Sequence, residues 1–345
     1  MYCVLDRTFN NTDNGSSPLE VIIFFAGVFV TIFTNIENGI YVTIAASFAL
    51  LLWRQLFTHG ALLGKVSIYR ATPDTIARKN DGAYAPGSDS AAREAYIPIS
   101  RKDGSNPHID IESPYPGVLI YRFTEGFTYL NQQGYMDELV HYAQTIARPT
   151  TLDRYAKLGD RPWNDPGPRR GKQLNVDDNR PVLRAIILDF SAVNNVDVTS
   201  IQGLIDVRAQ LDRYAAPESV EWHFASINSR WTKRALTTAG FGYIERDRFA
   251  SRQHWNPVYS YAPLDTLAPK LGDAEAQDEI YSAGQKGFPS GKVTTVHGQN
   301  RPFFHIDVPA AVESAIAGIN TKLAHVSTGS SEDHVGTAEL QVKHD

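Results

Sequence analysis

Two apolar runs near the start of the chain, Val21 to Phe33 and Ile40 to Trp53, constrain it more than any other feature. Both are apolar on every face rather than striped, whereas a helix on a soluble domain keeps a polar side. Each is shorter than the roughly 20 residues that cross a bilayer core, so length alone leaves a buried helical hairpin open. All-round apolarity favours the membrane, and two transmembrane helices are expected within 18–57, joined by the turn Thr34-Asn-Ile-Glu-Asn-Gly39. Arg54, Lys65 and Arg70 follow the second run, while the turn carries only Glu37. By the positive-inside tendency the remainder is expected in the cytoplasm, and two crossings return the N-terminus there.

Residues 1–17 lack the apolar core of a signal peptide and read as an exposed leader. Asn10-Asn-Thr12 and Asn14-Gly-Ser16 fit the glycosylation sequon, a pattern common by chance. With 345 residues, 42% of them hydrophobic, the chain can bury a sizeable core. A net charge of -5 supplies no general basic field, so nucleic acid is not an expected partner. The single cysteine, Cys3, excludes an intramolecular disulfide framework and a cysteine-rich zinc site.

Beyond the apolar runs, residues 58–116 turn polar and rich in Pro, Gly and charge, and read as a linker or wrapping arm. Strand and helix signals then alternate. Gly117 to Phe123 is a strand, and Asn131 to Ala147 a helix with Tyr135, Met136, Leu139, Val140 and Tyr142 on its apolar side. Arg148-Pro149 ends that helix, and 149–181, holding Arg161-Pro-Trp-Asn-Asp-Pro-Gly-Pro168, reads as an inserted loop. Leu183 to Phe190 is a buried strand, Val198 to Tyr214 a helix, Val220 to Ile227 a strand and Ser229 to Ala239 a helix capped by Gly240. The expected fold is α/β, a small mixed sheet with helices over 117–250, preceded by the two-helix hairpin and followed by a loop-rich tail, 251–345.

Asp189-Phe-Ser191-Ala-Val-Asn-Asn-Val-Asp197-Val-Thr199-Ser200 resembles the signature of STAS domains: an acid and a serine ending a strand, then an Asp-x-Thr/Ser turn opening a helix. Gly117 to Phe123, Tyr129-Leu-Asn131 and Trp231-Thr-Lys-Arg-Ala-Leu-Thr-Thr-Ala-Gly-Phe-Gly242 are similar to segments of sulfate permeases. Leu19-Glu20, the turn 34–39 and Leu62-Leu-Gly-Lys-Val66 resemble the last two membrane helices and the exit of that family. The resemblance covers roughly Pro18 to Ile316, and the long insert and the tail look fungal. It implies the C-terminal part of a fungal-type SulP sulfate permease, in which anion import is coupled to proton or other ion movement. The family's substrate site lies in helices with no counterpart here, so no substrate-binding residue is expected in this chain and transport by it alone is not expected.

In bacterial relatives of the STAS domain this turn carries a phosphorylated hydroxyl, and Thr199 is the matching residue, with Ser200 beside it. Val198 and Ser200 depart from the bacterial pattern, which often has a hydroxyl residue and a glycine there. Capping of the helix by Asp197, Thr199 and Ser200 accounts for the same residues without any modification. Asp189 and Asp197 also suggest paired carboxylates, but no His or Cys lies close enough in sequence to complete a metal set and no catalytic constellation is present. His297, His305 and Asp307 form a loose metal-like group near Phe303-Phe304, better explained by a tail that docks through its aromatic rings. Trp163 with Arg161 and Arg169 reads as a solvated loop.

The expectation is therefore a non-enzymatic, cofactor-free membrane protein of the plasma membrane, part of a sulfate transporter. Its expected partners are the lipid bilayer, a second copy or the rest of a permease, and a regulatory protein on the STAS domain. The alternative is a stand-alone STAS interaction module switched at Asp197-Val-Thr199-Ser200.

Overall fold

A computed structural model describes residues 18–69, 93–101, 104–150, 179–243, 258–263, 280–283, 291–297 and 300–341. The chain divides into two compact units, Met1–Thr58 and His59–Asp345.

In the first unit, helix α1 (Pro18–Phe33) is followed by α2 (Ile36–Leu56). They pack antiparallel through small residues. A Cβ on Gly27 would lie 2.2 Å from Thr43 Oγ1, and one on Gly39 would lie 1.9 Å from Thr31 Oγ1, so only glycine permits this approach. The two threonine hydroxyls donate to Gly27 O and Gly39 O within their own helices, at 2.8 Å each, so both are paired where the helices meet. Arg54 Nη1 meets Glu20 Oε1 at 3.2 Å across the open end of the pair. The second helix starts earlier than the apolar run suggests, because Asn35 takes the extended N-cap conformation and Glu37 complements the first-turn dipole. Gly39 is thus a packing residue inside α2 and not the end of a turn. With 21 residues, α2 is long and apolar enough to cross a membrane; the apolar stretch of α1, Glu20–Phe33, is shorter.

The second unit is built on a six-stranded sheet in the order β2-β1-β3-β4-β5-β9. Strands β3 (Val118–Arg122), β4 (Ala185–Asp189), β5 (Glu221–Ala225) and β9 (Phe304–His305) run parallel, and β1 (Ala61–Ile68) and β2 (Arg93–Pro98) add antiparallel to one edge. The mixed α/β sheet expected from the sequence is present. Helices α3 (Gln132–Ile146), α4 (Val198–Ala215) and α5 (Arg230–Thr238) fall within a residue or two of expectation. Gly240 does cap α5: at φ +82° it directs its N–H to Thr237 O (3.0 Å) while Phe241 N–H reaches Leu236 O (3.0 Å).

Strand alternation sends side chains to two cores. Leu119, Tyr121, Ile186, Leu188, Trp222 and Phe224 pack beneath α3, α4 and α5. On the opposite face Val118, Ile120, Ala185, Ile187 and Ala225 meet Val308, Ala311, Val312, Ala315 and Ile319 of α6 (Val308–Gln341).

Two boundaries change. Part of the expected 58–116 linker is sheet: Ala61–Ile68 pairs with Arg93–Pro98 and with β3, its Leu63 buried and Lys65 paired with Glu94 across the strands. Gly64, Lys65 and Ser67 interrupt the apolar residues of this strand, so its run is too short and mixed to announce itself in the sequence. The 251–345 tail is not mainly loop among its described residues. It supplies β9, a separate three-stranded antiparallel sheet of β6 (Tyr261–Pro263), β8 (Gly291–Thr295) and β7 (Ile280–Ala283), and α6, which covers the second face. Alanine lets α6 lie close to the sheet at the cost of a conspicuous apolar stripe. The leader 1–17 and most of the insert, 151–178 with Trp163, Arg161 and Arg169, lie outside the described residues.

Candidate functional site

The STAS-like residues gather where the parallel strands end and α4 begins. β4 delivers Asp189 to the carboxyl edge of the sheet, where it is almost fully buried. Its Oδ2 accepts from Arg122 Nε at 2.6 Å, one strand over, and its Oδ1 accepts from Ser191 N–H at 3.0 Å. A buried carboxylate needs such partners, and Arg122 is the one the sequence did not reveal. Ser191 is exposed, and its carbonyl accepts from Asn228 Nδ2 (3.1 Å), tying the β4–α4 loop to the start of α5.

Asp197 is the N-cap of α4. Its Oδ1 accepts from Ser200 N–H (2.8 Å) and Ser200 Oγ (2.5 Å), and its Oδ2 accepts from Tyr129 N–H (2.6 Å) in the β3–α3 loop. Burial pushes this carboxyl upward, but the bonds from Ser200 and Tyr129 outweigh it and hold it below its ordinary value. Ser200 is fully buried with its hydroxyl committed to Asp197. Thr199, one position earlier, is exposed. The capping chemistry thus uses Asp197 and Ser200, and Thr199 presents the free-standing hydroxyl. Asp189 and Asp197 have separate partners and do not form one carboxylate site.

Two further anchors hold the loops around this end of the sheet. Asn131, completely buried, accepts from Thr128 N–H (3.0 Å) and donates to Gly126 O (2.8 Å), shaping the loop that meets Asp197. Glu138 on α3 accepts from Tyr121 Oη (2.8 Å), Tyr142 Oη (3.2 Å) and Gly60 N–H (2.8 Å). Burial, and then the Glu138 charge, push the Tyr121 phenol far up, so it stays a neutral donor.

Of the His297, His305 and Asp307 group, His297 stays against the backbone of His305, but the three side chains turn to different partners. Asp307 Oδ1 accepts from Ala310 N–H (3.0 Å) and caps α6. His297 Nδ1 faces Lys233 Nζ at 3.1 Å. His305 lies against His223, with Phe303 edge-on to His223 and Phe304 edge-on to Phe224, so the tail does dock through its rings. Among the described residues no three His, Cys, Asp or Glu side chains are grouped to hold a metal ion.

Comparisons with known proteins find the following similarities. The STAS domain family matches residues 113–245. Sulfate permease 2 of Neurospora crassa is 41% identical over 87% of this chain and 43% of its own length. A probable sulfate permease of Schizosaccharomyces pombe is 45% identical over 75% of this chain and 28% of its own. A solved structure of the murine Slc26a9 anion transporter in the inward-facing state is 14% identical, with TM-score 0.38, over 64% of this chain and 25% of that one. The chain therefore spans less than half the length of the curated relatives it matches. Residues 113–245 therefore form a STAS domain, and most of the chain is similar to a portion of fungal sulfate permeases.

Proposed function

We propose that this chain serves sulfate transport as the membrane-hairpin and STAS portion of a SulP-type permease, working in regulation and dimerisation rather than in binding the anion. The similarity to fungal permeases along 87% of the chain carries this reading, because it extends well beyond the STAS domain at 113–245. The Gly27–Thr43 and Thr31–Gly39 contacts support membrane insertion: they are the small-residue packing that lets helices associate where lipid tails remove the hydrophobic drive. On this reading the protein is a multi-pass component of the plasma membrane with the STAS domain in the cytoplasm, its partners being the rest of a permease, a second copy and a regulatory protein. It is not an enzyme.

The regulatory element is the start of α4. A phosphate on Thr199 would sit among exposed N–H groups at the positive end of the helix dipole, beside the carboxylate of Asp197. The exposure of Thr199 against the burial of Ser200 favours this residue as the switch, in the complete permease or in a stand-alone STAS module.

The test is labelled sulfate uptake in cells lacking their own sulfate permeases, expressing this chain alone. The expected result is carbonate-resistant membrane association with background uptake. Uptake above background would overturn the assignment of the anion site to helices outside this chain, and release by carbonate would overturn membrane insertion in favour of the stand-alone module.

A further inference from the structure

Three large apolar side chains stand exposed at the carboxyl end of the parallel strands: Tyr129 (66%), Val198 (87%) and Trp231 (68%). Tyr129 follows β3, Val198 opens α4 after β4, and Trp231 lies in the first turn of α5 after β5. The loops bearing them are bonded together, Tyr129 N–H to Asp197 and Asn228 to Ser191 O. Around the Trp231 ring lie two guanidiniums, Arg230 Cζ at 5.5 Å and Arg234 Cζ at 5.3 Å. Helix α5 carries these two arginines and Lys233 and no acidic residue.

We propose that this end of the sheet is a contact surface for anionic lipid headgroups, with Trp231 seated at the interface between Arg230 and Arg234. Tryptophan favours the headgroup level because its ring is apolar and its N–H polar, and arginine contributes attraction to acidic lipids. Chain connectivity selects lipid over a soluble partner. Strand β1 begins at Ala61, whose partner is Arg122, the last residue of β3, so the chain enters the domain at this same end. Only residues 57–60 separate that entry from the apolar helix α2, a span of about 14 Å at full extension. The inference rests on the reading that α2 lies in a membrane.

Its test places a single fluorophore on the full chain, in a Cys3→Ser background, in vesicles containing a headgroup-quencher lipid. The labels are Asn194→Cys at the proposed surface, Glu218→Cys at the opposite end of the sheet, and Leu51→Cys within α2. With phosphatidylserine present, quenching at residue 194 should exceed that at 218 several-fold. It should fall in high salt and fall again in Trp231→Ala or Arg230→Glu/Arg234→Glu chains whose melting is unchanged. Equal quenching at 194 and 218, or no response to phosphatidylserine, overturns the lipid surface while leaving insertion intact. Absence of lipid contact at residue 51 overturns both.

Discussion

Nδ1 of His223 lies 3.0 Å from Nε2 of His305, the two rings stacked at 25° between β5 and β9. His223 Nε2 in turn faces Glu221 Oε2 at 3.5 Å, and Glu221 Oε1 meets Lys322 Nζ of α6 at 2.7 Å. A polar file thus runs through a core otherwise lined by Val308, Ala311 and Val312, and pins α6 to the sheet.

That file makes the domain acid-sensitive. Burial, then the charge of His223, lower His305 to about 2, and burial, then Lys233, lower His297 to about 4. Both are depressed below the ordinary 6.5, so the unfolded chain binds their protons first and stability falls as the pH drops below about 6.5. For His305 the slope is at most about 1.4 kcal/mol per pH unit. Glu221, desolvated but held low by His223 and Lys322, adds a second loss below its ordinary 4.5. Thermal melting of the full chain from pH 8 to pH 4 should be flat and then descend; a His305→Asn chain that keeps the same slope would refute the assignment.

Asp197→Ala removes the α4 cap and the bond to Tyr129, an expected loss of about 1 to 2 kcal/mol. Ser200→Ala should also lower the melting temperature, since its hydroxyl is buried against Asp197, whereas Thr199→Ala should not. The reverse order in a melting series would sink the division into a capping serine and a displayed threonine.

The insert should be removable between 151 and 178. Arg148 N–H donates to Pro181 O (3.0 Å), which brings the ends of the segment together, and Arg180 Nη1 donates to the carbonyls of Gln144 (2.6 Å) and Thr145 (2.9 Å) at the end of α3. Replacing 151–178 with a short Gly-Ser bridge should leave melting nearly unchanged, while a deletion that also takes Arg180 should lower it. Equal melting of the two deletions would show that Arg180 is dispensable.

Gly117→Ala should be among the more damaging small changes. Gly117 holds φ +83°, and an added Cβ would lie 2.2 Å from Val182 O. Left-handed strain costs about 1 to 2 kcal/mol before the clash with backbone is counted. Circular dichroism melting of the variant within a degree of the parent would contradict that geometry.

The sequence by itself determined the parts whose side chains repeat locally. All-round apolarity marked α1 and α2, buried runs marked β3 and β4, and the amphipathic spacing of Tyr135, Met136, Leu139 and Val140 marked the inner side of α3, because period and burial are written within a few residues of one another. Asp197 was legible as a cap for the same reason. Only the tertiary structure decided that Ala61–Ile68 is a strand between β2 and β3, that alanine-rich α6 closes the second face, and that Arg122, Glu138 and His223 each have a partner distant in sequence. A strand interrupted by Gly64, Lys65 and Ser67, and a helix packed through small residues, leave too weak a local pattern to be read. A buried charge or imidazole is explained by the group across from it, and that group is set by how the sheet and helices pack.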